Sequence, residues 1–502
     1  DGQADDNLAG TTPADEDGVV LLDVLGQPTT GLIPGEWATI QVTVASSEGG
    51  RLYAWIDYNG DGFWGGSGSE TQGLSTYNWS EQIADGLAIA AGTTQTISFF
   101  VPHVDIDPGL VNARFRLISE TEYTVRGGVL DFAGIAYTGE VEDYVYEILP
   151  VDYGDAANGP TMWADNGARH VIAGPWMGTA GAATDWEHDG QADDNLAGTT
   201  PADEDGAVFL DVYGQPTTGL IPGEMASVDV KVNNADGLVY VWIDFNGDGD
   251  FDDSYGETWS GVTSTWSEFV VAGAPAAAGG STGPRSFRVP HNVDAKTVAA
   301  RFRVVDPSEG WTPSATGIAY SGEVEDHTVQ ILPVDYADAP NSYSTVRAAD
   351  GARHVIAGPV LGAAVDHDWD GQPTPLANGD GSDEDGLDFL GARLIPGETT
   401  TLDVALSNVA GTVYLNAWLD YNGDGLWEAA EHIFGGTALA MTGSGPISFD
   451  VPETAVRGAT YARFRISSVP NLSFDGLAAD GEVEDYLGYI QQVDFGDAPD
   501  SY

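Results

Sequence analysis

The sequence predicts an all-β chain of three tandem antiparallel β-sandwiches, Ig-like or jelly-roll-like, strung as a rod. Three observations predict it. A series of motifs returns three times in one order, apolar residues alternate instead of recurring at helical spacing, and turn formers abound, with 66 glycines and 26 prolines among 502 residues.

The repeat sets the units. DGQADDNLAGTTPADEDG at Asp1 returns at Asp189, and DEDG stands at Asp15, Asp203 and Asp383. A GLIPGE or RLIPGE turn begins at Gly31, Gly219 and Arg393, and WIDYNGDG at Trp55 becomes WIDFNGDG at Trp242 and WLDYNGDG at Trp418. RFR follows at Arg114, Arg301 and Arg463, and GEVED at Gly139, Gly322 and Gly481. After each GEVED comes an apolar stretch, then VDYGDA at Val151, VDYADAP at Val334 and VDFGDAPDSY at Val493. The units are therefore 1–150, 151–333 and 334–492, with 493–502 as the opening of a further unit. Repeats this long are beads and not solenoid coils. The proline-bearing ILPVD junctions at Ile148 and Ile331 are too short to be slack linkers.

Within each unit the period is two. Leu52, Ala54 and Ile56 alternate with Tyr53 and Trp55, and Val239, Val241 and Ile243 alternate with Tyr240 and Trp242. SFFVP, SFRVP and SFDVP at Ser98, Ser286 and Ser448 are short strands that a proline ends. Long stretches of helical periodicity are hard to find.

Charge excludes several functions. The chain holds 78 acids against 17 bases, a net charge of −61, which opposes binding to nucleic acid or to an anionic membrane surface. It has no cysteine, hence no disulfide or thiolate chemistry, and no apolar run long enough to span a bilayer. Such an acid load suits a high-salt setting or many divalent-cation sites.

The second explanation has candidate residues. D-x-N-x-D-G occurs as Asp57, Asn59, Asp61; as Asp244, Asn246, Asp248; and as Asp420, Asn422, Asp424. Calcium takes six to eight hard oxygens, and side chains at alternate positions converge on one ion when a glycine lets the chain curl. In the third unit Glu431 holds the twelfth position, where a bidentate carboxylate belongs. In the first two units the nearest glutamates, Glu70 and Glu257, lie two positions later, so closure differs there. The competing reading is a plain Asn-Gly or Asp-Gly hairpin turn. A second candidate is D-x-[DE]-x-D-G: Asp185, Glu187, Asp189 in unit two and Asp366, Asp368, Asp370 in unit three, against an acidic solvated loop.

Other motifs read as structural. Glu140 and Glu142 share one strand face, as do Arg114 and Arg116. If the GEVED and RFR strands are neighbours, the glutamates can meet the arginines as an ion-pair ladder. A cation site and a catalytic pair are the other readings. His170 and His354 recur in GARHVIAGP as structural hydrogen-bonders, and GGSTG from Gly279 sits in a turn-rich loop and not in a nucleophile elbow. Trp55, Trp242 and Trp418 either pack against the sandwich or offer a sugar-stacking platform.

This motif set, with FGDAPDSY at Phe495 and ARH at Ala168 and Ala352, resembles the GEVED domain family of large bacterial extracellular and cell-surface proteins. The D-x-N-x-D-G loops separately resemble calcium loops of dockerin and thrombospondin type. Departures are local: His327 replaces the tyrosine after the second GEVED, and unit three is shorter. The resemblance implies secretion and repeat architecture and carries over no catalytic role. The expected function is a calcium-stiffened segment of an extracellular fibre, filament or stalk. Its partners would be neighbouring repeats or head-to-tail copies. An adhesin or carbohydrate-binding module that takes a glycan is the alternative, and an accessory region of a secreted enzyme a weaker one. Unit one is expected to lack an opening segment, and residues 493–502 to carry a strand that could fill such a gap.

Overall fold

The computed structural model describes residues 18–104, 106–156, 159–179, 186–187, 190, 205–259, 262–379, 386–439, 445–492 and 494; for 257–259, 262–264 and 436–439 it describes the backbone alone. Each unit is a β-sandwich. In unit one the strands Val19–Leu22, Trp37–Val44 and Thr93–Phe100 form one sheet. The other runs Gly31–Leu32, Glu140–Ile148, Gly109–Ile118, Gly50–Ile56, Gln82–Ile89 in spatial order. Alternation sends Ile40, Val42, Ile97 and Phe99 of the first sheet against Leu52, Ala54, Ile56 and Phe115 of the second. Units two and three repeat the plan. Their cores centre on Val228, Val241 and Phe302, and on Leu415, Phe464 and Ile466.

The long ladders are antiparallel as expected, and the parallel pairings are short. Gly31–Leu32 and Gly219–Leu220 pair parallel with the ends of the GEVED strands, and Arg169–Val171 and Arg353–Val355 pair parallel with Ile318–Ala319 and Leu477–Ala478. All of these are two- or three-residue strands, and Arg169–Val171 and Arg353–Val355 are each the middle strand of a three-stranded sheet whose other flank is Val151–Tyr153 or Val334–Tyr336. Unit one also holds a short helix, Glu120–Val125, where Ser119 Oγ accepts the Glu122 N–H at 3.2 Å. No helix among the described residues is long and apolar enough to cross a membrane.

The RFR strand lies between the GEVED strand and the strand that ends in WIDYNGDG, in all three units. The outer neighbour of the third of these strands carries a β-bulge at the same place each time: two of its residues stand opposite Tyr53, Tyr240 and Asn416, just before the acidic loop. In units one and two a hairpin intervenes between loop and outer strand, Ser67–Gln72 with Ser75–Ser80 and Ser254–Trp259 with Val262–Ser267.

Consecutive units meet through the opening segment of the later one. Trp163, at the start of a 3₁₀ turn, is buried on unit one, stacked on His103 at 4.1 Å and close to Phe100 and Tyr77. Its Nε1 donates to Gly35 O at 3.3 Å. Gly35 must be glycine twice over, because its φ is +76° and an added Cβ would lie 2.2 Å from Trp163 Nε1. Beside it Arg169 pairs with Glu36. The next joint repeats the geometry: buried Arg347 lies over Gly223 (φ +78°), and Arg353 pairs with Glu224 at 2.6 Å.

Candidate functional site: the arginine hub and the acidic loops

The register of the GEVED and RFR strands corrects the ion-pair ladder. Residues opposite one another in an antiparallel pair project to the same side, and Arg114 lies opposite Asp143 while Glu142 lies opposite Phe115. The first arginine of RFR therefore takes the final aspartate of GEVED in a two-pronged pair. Arg114 Nε and Nη2 donate to Asp143 at 2.7 and 2.6 Å, Arg301 to Asp326 at 2.8 and 2.7 Å, and Arg463 to Asp485 at 2.7 and 2.7 Å. The glutamates point to the other side and accept backbone N–H groups. Glu142, Glu325 and Glu484 accept from Gly18, Gly206 and Gly386, each the glycine of DEDG. Burial, reinforced by Glu140, pushes the Glu142 carboxyl up to about 7.

The second arginine of RFR gathers carbonyls. Arg303 donates from Nη1 and Nη2 to the carbonyls of Ser314, Thr316, Arg169 and Gly317 at 2.6–3.1 Å, and from Nε to His170 Nε2 at 2.8 Å. Arg465 repeats this with Ser473, Asp475, Arg353 and Gly476, and with His354 Nε2 at 2.9 Å. Each histidine has its Nδ1 against a carbonyl, Ser321 O at 2.6 Å and Asp480 O at 2.7 Å. A carbonyl only accepts, so Nδ1 carries the proton and Nε2 is the acceptor: both imidazoles are neutral. Burial and the adjoining guanidinium hold them well below the usual histidine range, and burial draws Arg303 and Arg465 down to about 9. The ring NMR signals of His170 and His354 are accordingly expected to stay fixed from pH 8 to 5; a midpoint near 6.5 would contradict this assignment.

The acidic loops are ordered by their own side chains. Asp57 accepts the N–H groups of Asp61 (3.1 Å) and Gly62 (3.0 Å), and Asn59 Oδ1 accepts Asp61 N–H at 3.0 Å. Asp244 accepts from Gly247, Asp248 and Gly249, and Asp420 from Gly423 and Gly425. Asn246 and Asn422 hold Asp248 and Asp424 as Asn59 holds Asp61. Tyr343, from the opening segment of unit three, donates to Asp420 at 2.6 Å. Each loop thus curls around its first aspartate, with the asparagine and the second aspartate on its rim.

Behind each loop stands one buried glutamate, and here the sequence reading is corrected. Glu431 is at the loop as expected, but its oxygens accept the N–H groups of Tyr421, Asn422 and Glu428 at 3.0–3.3 Å, which makes it a clamp on the loop backbone. In unit two Glu268 does this, accepting from Phe245 (3.1 Å) and Asp253 (3.2 Å), and in unit one Glu81 accepts Gly66 N–H at 2.5 Å. All three immediately precede the residue paired with the loop-strand tryptophan: Gln82 with Trp55, Phe269 with Trp242, His432 with Trp418. Glu70 instead accepts from the backbone and Nδ1 of His103, and the side chain of Glu257 is outside the described residues. Burial raises Glu81 and Glu431, and raises Glu268 to about 7; Asp57, Asp420 and Asp244 respectively add to it. The signal for Glu81 and Glu268 was WSE at Trp79 and Trp266, hidden by the hairpin that separates it from the loop.

Among the described residues one trio of acids has ligand atoms within 4.8 Å of one another: Asp248, Asp250 and Asp253 in unit two. Only Asp248 was foreseen; the run DGDFDD from Asp248 was the overlooked signal. Among the described residues the other acidic motif forms no such trio. Asp368 accepts from Tyr336 N and Gln372 Nε2, Asp370 from the N–H groups of Arg347 and Gly371, and Asp366 is exposed. Glu187 accepts Tyr153 N–H at 2.8 Å, the counterpart of the Asp368 contact, while Asp185 and Asp189 lie outside the described residues. Trp55, Trp242 and Trp418 are buried and stack on Tyr53, Phe269 and His432, which removes them as a sugar platform.

Comparison with known proteins gives one family. The GEVED domain matches residues 51–147, 238–330 and 414–488, just over half of the chain. No curated protein matches. Similar solved structures include a 1.5-MDa bacterial ice-binding adhesin studied for host cell surface retention (9% identity, 94% of this chain and 98% of that one, TM-score 0.22). A tetra-tandem repeat from the extending region of a large adhesion protein is another (9%, 94% and 99%, TM-score 0.17). A third is a membrane-anchored protein from Corynebacterium diphtheriae (10%, 96% and 97%, TM-score 0.18). These scores are too low for any of the three to bear on the site.

Proposed function

The chain belongs to the GEVED domain family, and we propose that it is a structural segment of an extracellular or cell-surface stalk, in which calcium-stiffened sandwiches are held at fixed angles. One observation carries this reading: the joint between units is built twice in the same way. The opening segment of the later unit lays a buried side chain on a P-G-E turn of the earlier one, Trp163 on Gly35 and Arg347 on Gly223, with an arginine–glutamate pair beside it. A motif used for such a joint resists rotation between beads, as a load-bearing or reach-extending segment requires.

The acidic loops support the calcium part. Each presents an aspartate, an asparagine and a second aspartate at alternate positions around a glycine turn, and unit two adds Asp250 and Asp253. That donor set is all oxygen and mostly anionic, as calcium requires. Burial disfavours the charged form of the glutamate behind each loop, and a bound cation would restore it. Bound calcium would supply positive charge that offsets carboxylate repulsion, while the chain's own loop N–H groups keep the oxygens in place.

Small-angle scattering of the whole chain tests the stalk reading. One maximum dimension, unchanged between low and high salt while calcium is present, is expected. A profile that only an ensemble of hinged beads can fit would overturn it.

A further inference from the structure

The three units settle one buried position in three different ways. The residue after the first aspartate of each acidic loop is Tyr58, Phe245 or Tyr421, and each ring packs into its sandwich core. In unit three the Tyr421 hydroxyl donates to Asp450 O at 3.1 Å. In unit two Phe245 has no hydroxyl to satisfy. In unit one Tyr58 is 1% exposed, and its hydroxyl has no hydrogen-bond partner among the described residues. A buried hydroxyl in that state destabilises the fold until something pairs with it.

That hydroxyl borders a cleft of about 340 Å³, and unit two shows what fits there. The cleft is lined by Tyr58 and Glu81, by Gly68 and Trp79 of the hairpin, and by Val104 and Ile106. The Trp79 indole lies across Gly68, where an added Cβ would come within 2.9 Å of it. The hairpins of units one and two share a register: Gly68 stands opposite Trp79 as Tyr255 stands opposite Trp266. Where unit one has a bare glycine, unit two therefore has a phenol ring. Tyr255 packs edge-on against Phe245 with ring centroids 6.4 Å apart, and its hydroxyl donates to Glu268 Oε1 at 3.0 Å. Phe245 and Glu268 are the counterparts of Tyr58 and Glu81. Unit two thus supplies from its own chain a group that unit one does not.

We propose that this cleft of unit one binds a small free phenol, which takes the part that Tyr255 plays in unit two. One hydroxyl answers both polar groups: its O–H donates to Glu81 as Tyr255 does to Glu268, and its oxygen accepts the Tyr58 O–H. The ring fills the space beside Trp79, Val104 and Ile106, which removes apolar surface from water. A primary ammonium meets Glu81 but has no lone pair for Tyr58. A sugar ring would set hydroxyls against Ile106, whose side chain offers no partner. The site needs neither the calcium nor the stalk reading. The strand expected in residues 493–502 lies, apart from Asp494, outside the described residues and plays no part in it.

The test titrates the full chain with p-cresol, toluene and glucose in an isothermal calorimeter. p-Cresol is expected to bind saturably at one per chain, and toluene, the same ring with no hydroxyl, about tenfold more weakly. Tyr58→Phe keeps the core ring. It should weaken p-cresol about tenfold, leave toluene unchanged and not lower the melting temperature of unit one. Val104→Trp, at a position 51% exposed, should block both ligands by filling the cleft while leaving the core intact. No saturable p-cresol binding, equal affinity for p-cresol and toluene, glucose bound in preference, or binding indifferent to Tyr58→Phe and Val104→Trp would each overturn the proposal. So would a lower melting temperature in Tyr58→Phe, because that hydroxyl would then already be satisfied without a ligand.

Discussion

Asp485→Ala is expected to destabilise unit three by about 3–5 kcal/mol, the cost of leaving one member of a buried ion pair uncompensated. Arg463 and Asp485 are both 0% exposed, and Asp485 also holds the Ala339 N–H at 2.8 Å, so its loss strands a charge and a donor at once. Asp326→Ala should cost as much in unit two, where Arg301 and Asp326 are 0% and 1% exposed. The same change at Asp143 should cost under about 1 kcal/mol, because there the pair is 31% and 46% exposed and water screens it. Denaturant unfolding of each variant, followed by near-UV circular dichroism and calorimetry, reads the difference. Equal costs at Asp485 and Asp143 would mean that the buried hub contributes nothing beyond a surface pair.

The second large effect is calcium. An ion bound only to the folded state raises stability by about 2.7 kcal/mol at a hundredfold excess over Kd, and the three loops offer three such terms. Melting temperature is therefore expected to rise in millimolar calcium relative to chelator. Asp420→Ala with Asp424→Ala should remove the gain from unit three alone. The pH dependence has a definite sign. The raised carboxyls of Glu142 and Glu268, both at about 7, favour the protonated form in the fold. Without calcium, then, stability should fall as pH rises from the unfolded carboxyl value of about 4.3 through 7. Melting curves that coincide with and without chelator would remove the calcium claim.

Much of this was legible in the sequence. The three units, the β period and the acidic loops follow from repeated strings, because a repeat and an alternation are local properties. Register is not. Period two told which residues share a face, Arg114 with Arg116 and Glu140 with Glu142, but not which of them face each other across strands. The aspartate of GEVED, not its glutamates, meets the arginine. Glu81 and Glu268 were missed for a related reason. A hairpin inserted between loop and strand moves the clamp along the sequence while leaving it in place in space, so the twelfth-position rule found only Glu431. The neutral histidines were recognised as hydrogen-bonders, yet their partner, a guanidinium from the far side of the unit, has no local signature.

The central claim is that the opening segments fix the angle between units. Because the chain has no cysteine, spin labels can be placed cleanly at Ser46→Cys in unit one and Ser281→Cys in unit two, both exposed, and the distance between them read by pulsed electron resonance. A single narrow distribution is expected, broadening when Trp163→Ala and Glu36→Ala dismantle the joint. A distribution already broad in the intact chain, and unchanged by those substitutions, would contradict the account.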